Sequence, residues 1–174
     1  MSAVGGVPGP ETKSVQPEVL AAIRALLDTQ RVLSLAVLVD GEPEAGLLPY
    51  AVREDFGAVY LQASGLARHA RGLRPGGHVG LLVHASESPD ADPMQLPRLS
   101  VQAEVGLLGK GTEAYARAAA RFTARFPAAA LTLELGDFNL YELTLGRGRY
   151  VEGFARAFNV GPDTFGQLNG APVP

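Results

Sequence analysis

The chain contains no cysteine, which removes disulfides, thiolate nucleophiles, iron–sulfur ligation and thiolate zinc sites together. Any redox chemistry then requires a bound cofactor. Histidine is scarce: His69, His78 and His84 fall on separate expected elements, with neither the His-x-x-x-His nor the acidic spacing of a zinc site. No metal site is expected. There is no P-loop and no Gly-x-Gly-x-x-Gly fingerprint, and Ala63-Ser64-Gly65 lacks the flanking glycines of a nucleophile elbow. The longest unbroken apolar run, Leu35 to Val39, is far short of the roughly 18 residues that span a bilayer. Met1 to Pro10 carries no basic group and no apolar run of signal-peptide length, so a soluble, cytoplasmic protein is expected. A net charge of −3 offers no global attraction to nucleic acid.

What is present describes one globular domain. The 174 residues, 47% apolar and 19% charged, suffice for a single core and are too few for two ordinary ones. Residues 1–15, rich in Gly and Pro without periodicity, read as a flexible tail. Pro17 suits a first helical position, and Val19, Leu20, Ile23, Leu26 and Leu27 form one apolar stripe, which predicts a helix over 17–29. The run VLSLAVLV (32–39) followed by Asp40-Gly41 predicts a buried strand and a tight hairpin into a partner over about 44–52, with a third strand at 58–63. A short helical stretch (66–73) ends at Pro75-Gly76-Gly77 and a fourth strand covers 78–84.

The Pro-rich segment 85–97 reads as a long loop, followed by a strand at 99–108 and a helix capped by Thr112. Two further strands, 140–145 and 149–151, are expected on either side of Gly146-Arg147-Gly148. Six or seven short strands with few helices favour a closed or partly closed antiparallel barrel, since closure removes exposed edges. The expected class is mainly β with flanking helices, the barrel spanning 16–160 and a C-terminal tail 161–174.

Strand 58–63 running into Ser64-Gly65 and then Arg68, His69 and Arg71 has the composition of an anion cradle, with amide donors at a helix start and cations beside them. An ordinary serine cap with solvated arginines fits the same pattern. Arg117, Arg121 and Arg125 recur at i, i+4 as a basic ridge, read as a solvated face. In RGRYVEGFARAF (147–158) either Arg149, Arg156 and Phe154 face a ligand or a second subunit, or Phe154 and Phe158 at i, i+4 pin a terminal turn to the core.

Four stretches, SLAVLVDGEPEAGLLPYAV (34–52), YLQASGLARHARGLRPGGHVGLLV (60–83), LPRLSVQAEV (96–105) and GRGRYVEGFARAF (146–158), resemble in order and spacing the FMN-binding split barrels of the pyridoxamine 5'-phosphate oxidase-like family, nearest the branch associated with heme utilisation. The resemblance implies a six- to seven-stranded antiparallel split β-barrel and a homodimer with FMN at the subunit interface. It further implies either a flavin-dependent oxidoreductase acting on a small molecule or a carrier of heme or flavin. By that resemblance Leu48, Pro49 and Tyr50 pass along the flavin ring, and Gln62, Ala63 and Ser64 lead to the phosphate. Arg68, His69 and Arg71 are its cationic partners, and Arg98 and Gln102 reach in from the partner subunit. Two departures stand out: Arg71-Gly72 replaces an Asn common in relatives, and no histidine follows His84 where the heme-utilisation branch carries its heme ligand. No catalytic acid or base is assigned.

Overall fold

The computed structural model describes residues 15–171. Helix α1 (Pro17–Thr29) buries the expected stripe of Val19, Leu20, Ile23, Leu26 and Leu27, each contributing about 1.5–3 kcal/mol on full burial. The strands are β1 (Val32–Val39), β2 (Glu42–Val52), β3 (Ala58–Ser64), β4 (His78–His84), β5 (Arg98–Leu108), β6 (Phe138–Gly153) and β7 (Arg156–Val160). Their order is β3-β2-β1-β4-β5-β6-β7, and β3 also pairs with β6 from Ala58↔Thr144 to Ser64↔Phe138. That pairing closes a six-stranded antiparallel barrel and leaves β7 as an added strand on the far half of β6. The β1–β2 turn has Asp40 at φ 54° and Gly41 at φ 86°, the paired positive angles of a type I′ hairpin.

Alternation sorts the side chains. Leu33, Leu35 and Val37 of β1, Val79, Leu81 and Val83 of β4, and Leu99, Val101 and Ala103 of β5 point inward to one core. The barrel has two mouths, each covered by a different segment. The turn of 3-10 helix Arg68–Gly72, tighter than the helix expected there, brings Ala70 and Leu73 into the core at one, while α1 packs its stripe over the interior at the other. Helices α2 (Glu113–Arg125) and α3 (Ala129–Leu133) cover part of the outside of the barrel, where Tyr60, Ala118, Phe122 and Leu140 form a second core.

Three features depart from the sequence-based expectation. The segments 140–145 and 149–151 are one continuous strand, β6, because each glycine of Gly146-Arg147-Gly148 sits where neighbouring backbone comes close: a methyl on Gly148 would collide with the Ser100 carbonyl. Residues 161–171 do not trail away. Helix α4 (Pro162–Gln167) and a 3-10 turn bury Phe165 and Leu168 completely, and Arg24 Nη1 holds the Ala171 carbonyl at 2.6 Å. The arginine ridge of α2 is only partly solvated: Arg121 donates to the Val52 carbonyl and Arg125 to those of Asp28 and Gln30. The expected N-terminal tail lies almost wholly outside the described residues.

Candidate cofactor site

The outward side chains of adjacent strands fall into cross-strand rows. One row runs Leu47, Ser34, Leu82, Ser100, Arg149, Asn159; the next runs Ala45, Ala36, Gly80, Gln102. Ser34, Ala36, Ala45, Gly80 and Ser100 are small and keep the sheet surface low on either side of the half-buried Leu82. The result is a flat-floored groove of about 1040 Å³, at the upper end of ordinary small-molecule pockets. Leu82 lines the floor, and Arg147, Arg149, Asn159 and the start of α4 through Asp163 and Thr164 form one wall.

That wall is built by a register shift. Between Val101 and Ala103 the β5–β6 register shifts so that Gly146 and Arg147 of β6 stand opposite Gln102 alone, a bulge whose extra residue lies on β6. The Gln102 Oε1 then accepts from Arg147 Nε at 2.9 Å, and Arg149 Nη1 donates to Asn159 Oδ1 at 3.1 Å. Both guanidiniums are thus oriented by neutral amides. Arg147 and Arg149 stand two apart on one strand and therefore share a face.

The residues singled out by sequence are distributed over several places. Leu48 and Tyr50 face the interior, with the Tyr50 hydroxyl donating to the Leu27 carbonyl at 2.9 Å, whereas Pro49 points out and is exposed. Burial pushes the Tyr50 phenol well above its ordinary range. Ala63 is core, and Gln62 is buried with its Oε1 accepting from Thr132 Oγ1 of α3 while its Nε2 has no partner.

Ser64 Oγ donates to Asp137 Oδ2 at 2.6 Å and accepts from Leu66 N at 3.1 Å. Arg68 pairs with Glu44 and Arg71 with Asp40, both from the β1–β2 hairpin. The His69 ring lies against Gly46, where a side chain would crowd it, and its Nε2 is buried without a partner. Arg98 reaches the Leu96 carbonyl at 3.0 Å on the outer face beyond Ser100. Of all these, Gln102 alone lines the groove. The remaining lining residues come in ones, twos and threes from six strands and the start of α4; the sequence signal available for them was the i, i+2 repeat in Arg147-Gly148-Arg149 and Ser34-Leu35-Ala36, read as a break in one case and as plain strand in the other.

No family model matches the chain, and no curated protein does. Solved structures do. A heme-binding protein from Mycobacterium smegmatis superposes with a TM-score of 0.75 at 24% identity over 87% of this chain and 61% of its own, so the chain spans about three fifths of that protein. A Clostridium acetobutylicum protein of the pyridoxinephosphate oxidase family, related to general stress protein 26 of B. subtilis, gives 0.65 at 11% identity over 87% and 99%. An FAD-binding protein from Mesorhizobium loti gives 0.56 at 15% identity over 73% and 91%. The chain thus has the split-barrel fold of the pyridoxamine 5'-phosphate oxidase-like proteins, a fold that heme-binding proteins share. No helix among the described residues is long and apolar enough to cross a membrane.

Proposed function

We propose that this chain binds FMN in the outer-face groove and serves as a flavin-dependent oxidoreductase of the pyridoxamine 5'-phosphate oxidase-like type, working as a pair of identical chains. The observation that carries this reading is the low, largely apolar floor of Ser34, Ala36, Gly80, Leu82 and Ser100 beside Arg147 and Arg149. A fused aromatic ring system needs a planar surface without protruding side chains, and an anionic ligand needs cations at its edge. The likeness to the oxidase-family and FAD-binding proteins supports a flavin. FMN, when bound, supplies hydride or electron transfer; the chain's part is to position it and to shape the electrostatics. Residues lining the groove include no histidine and a single carboxylate, Asp163, so no acid–base pair of the chain's own is assigned.

The pairing of chains rests on the same face. Groove and floor pass without a boundary into exposed Leu38 and Leu47, an apolar margin that a second copy would cover while closing the groove over the ring.

Heme carriage is the second reading, favoured by the likeness to the M. smegmatis heme-binding protein and by His84. That histidine stands on the same outer face beyond Leu82, with Nδ1 2.7 Å from the Ala85 carbonyl, which leaves Nε2 as the nitrogen available to a metal. Absorption spectroscopy separates the two. Titration with FMN is expected to saturate at one flavin per chain and hemin to give no sharp Soret band. Ser100→Trp, on an exposed position in the groove floor, is expected to abolish flavin binding without moving the thermal unfolding midpoint. A saturable Soret band lost in His84→Ala, with no FMN binding, would establish the heme reading instead.

A further inference from the structure

We infer, resting on the FMN reading, that Arg24 of α1 is a positioning residue for the flavin although it lies outside the groove. It docks residues 161–171 against α1, and that segment supplies part of the groove's wall. Gly161, Pro162, Asp163 and Thr164 line the groove, whereas Arg24 does not. The two are joined through α4 and the 3-10 turn Leu168–Gly170.

The connection runs bond by bond. Gly161 N donates to Thr164 Oγ1 at 3.2 Å, and Phe165 N to the Gly161 carbonyl at 3.1 Å, so this part of the wall moves only together with α4. At the other end Arg24 Nη1 reaches the Leu168 and Asn169 carbonyls at 3.3 Å and that of Ala171 at 2.6 Å. The last carbonyls of a helical segment have no donor within it, and a cation is favoured beside them. The guanidinium is itself held in place, with Nε 3.6 Å from Asp28 Oδ2 and Cζ 5.3 Å from the centre of the Phe56 ring. One side chain thus ends the segment and ties it to α1.

The remainder of the docking is sparse. Phe165 and Leu168 are the segment's fully buried anchors. A crevice of about 420 Å³ opens beside Pro17 and Leu20 of α1, and another of about 360 Å³ opens toward Arg53 and Thr144. With the groove on a further side, the segment has the few apolar contacts of a unit that opens locally while the barrel stays folded. Gly166, inside α4, adds to this: a methyl there meets nothing within 4 Å, so glycine serves no packing and weakens the helix relative to alanine. A ligand that needs the wall in place binds with an apparent affinity reduced by the docked fraction. Arg24 raises that fraction without touching the ligand.

Amide hydrogen exchange and FMN titration by flavin fluorescence test this on the wild-type protein, Arg24→Gln, Gly166→Ala and the combination of the two. In Arg24→Gln, protection of residues 161–171 is expected to fall at least about tenfold, as befits lost bonds to a charged group, while the barrel strands change by less than about twofold. FMN affinity is expected to fall at least about threefold with it. Gly166→Ala is expected to raise protection of the segment about two- to fivefold and, in the combined variant, to bring FMN affinity back to within about twofold of wild type. By reciprocity, saturating FMN must slow exchange of 161–171 in the wild-type protein. Wild-type protein whose segment is not protected by bound FMN would overturn the inference whatever the variants do. A lowered thermal midpoint in Arg24→Gln with unchanged FMN affinity would also overturn it, since Arg24 would then only stabilise the fold. Exchange that rises equally in the strands would do the same, because the segment would not be a separate unit. Wild-type protein that binds no FMN would sink the FMN reading itself, an outcome the first titration separates from the others.

Discussion

Two patches on the outside of one barrel have been treated in opposite ways. Over the end of β2, β3 and the start of β6 the outward residues are large, with Tyr60 and Leu140 roofed by Phe122 and Ala118 of α2 and Ala129 of α3. Over the middle of β1, β4 and β5 the outward residues are Ser34, Ala36, Gly80, Ser100 and Gln102, with the half-buried Leu82 among them, and no helix among the described residues lies on them. The chain thus closes one face with its own helices and keeps the other low and uncovered. Large side chains fill a closed layer; small ones leave space that something else must occupy. The difference marks the uncovered side as the candidate site by packing before any chemistry is considered.

The comparison is tested most severely on the closed patch. Phe122 is fully buried and sits 5.2 Å from Phe126, centroid to centroid. Phe122→Ala is expected to cost about 3–5 kcal/mol, the range for truncating a buried aromatic, and to release α2 from β3. Equilibrium urea unfolding would show it as a lower midpoint. A loss under about 1 kcal/mol would mean that α2 is a detachable cover and that the two patches are not different in kind.

A smaller effect is expected at Tyr50, under the closing helices, where Arg125 of α2 stands 5.6 Å over the ring. Burial raises the phenol's pKa in the folded protein, so the folded state retains a proton that the unfolded chain releases above about pH 10. The unfolded state then binds fewer protons, and stability must fall as pH rises above that value. Tyr50→Phe is expected to cost about 1 kcal/mol at neutral pH for the bond to the Leu27 carbonyl, and to flatten part of the alkaline decline. An unchanged alkaline slope in the variant would assign the decline to other groups.

Much of the fold was legible because its signals are local. The stripe of α1, the Asp40-Gly41 turn and the Thr112 cap, which accepts from Tyr115 N at 3.1 Å, are each written within a few residues. The continuity of β6 was not, since glycine ordinarily breaks a strand pattern and only the neighbouring Ser100 and Gln102 backbone shows why glycine is needed there. Helix α4 was hidden for a similar reason: its apolar pair, Phe165 and Leu168, is too short a pattern to read without the α1 surface that receives it. The groove was the least legible part. It is assembled from outward residues of separate strands brought together by register, and smallness at a strand position has no motif. At the Ser64 turn the composition of an anion site was legible, but the contacts of Arg68 with Glu44, Arg71 with Asp40 and Ser64 with Asp137 were not, because those partners are distant in sequence.

The open patch supplies the smallest expected effect on the folded chain itself and the sharpest contrast. Leu38 and Leu47 are 65% and 68% exposed, so replacing both with Glu removes almost no intramolecular packing and is expected to change monomer stability by less than about 0.5 kcal/mol. If a second copy covers this face, the wild-type protein is stabilised by association, and its thermal midpoint must rise with protein concentration. The Leu38→Glu and Leu47→Glu double variant is expected to lose that concentration dependence, to scatter light as a single chain, and to bind FMN more weakly because the groove is no longer closed from above. A wild-type midpoint independent of concentration, with the scattering mass of one chain, would show that the open patch is not an interface between copies. The difference between the two patches would then have to be explained by the groove's ligand alone.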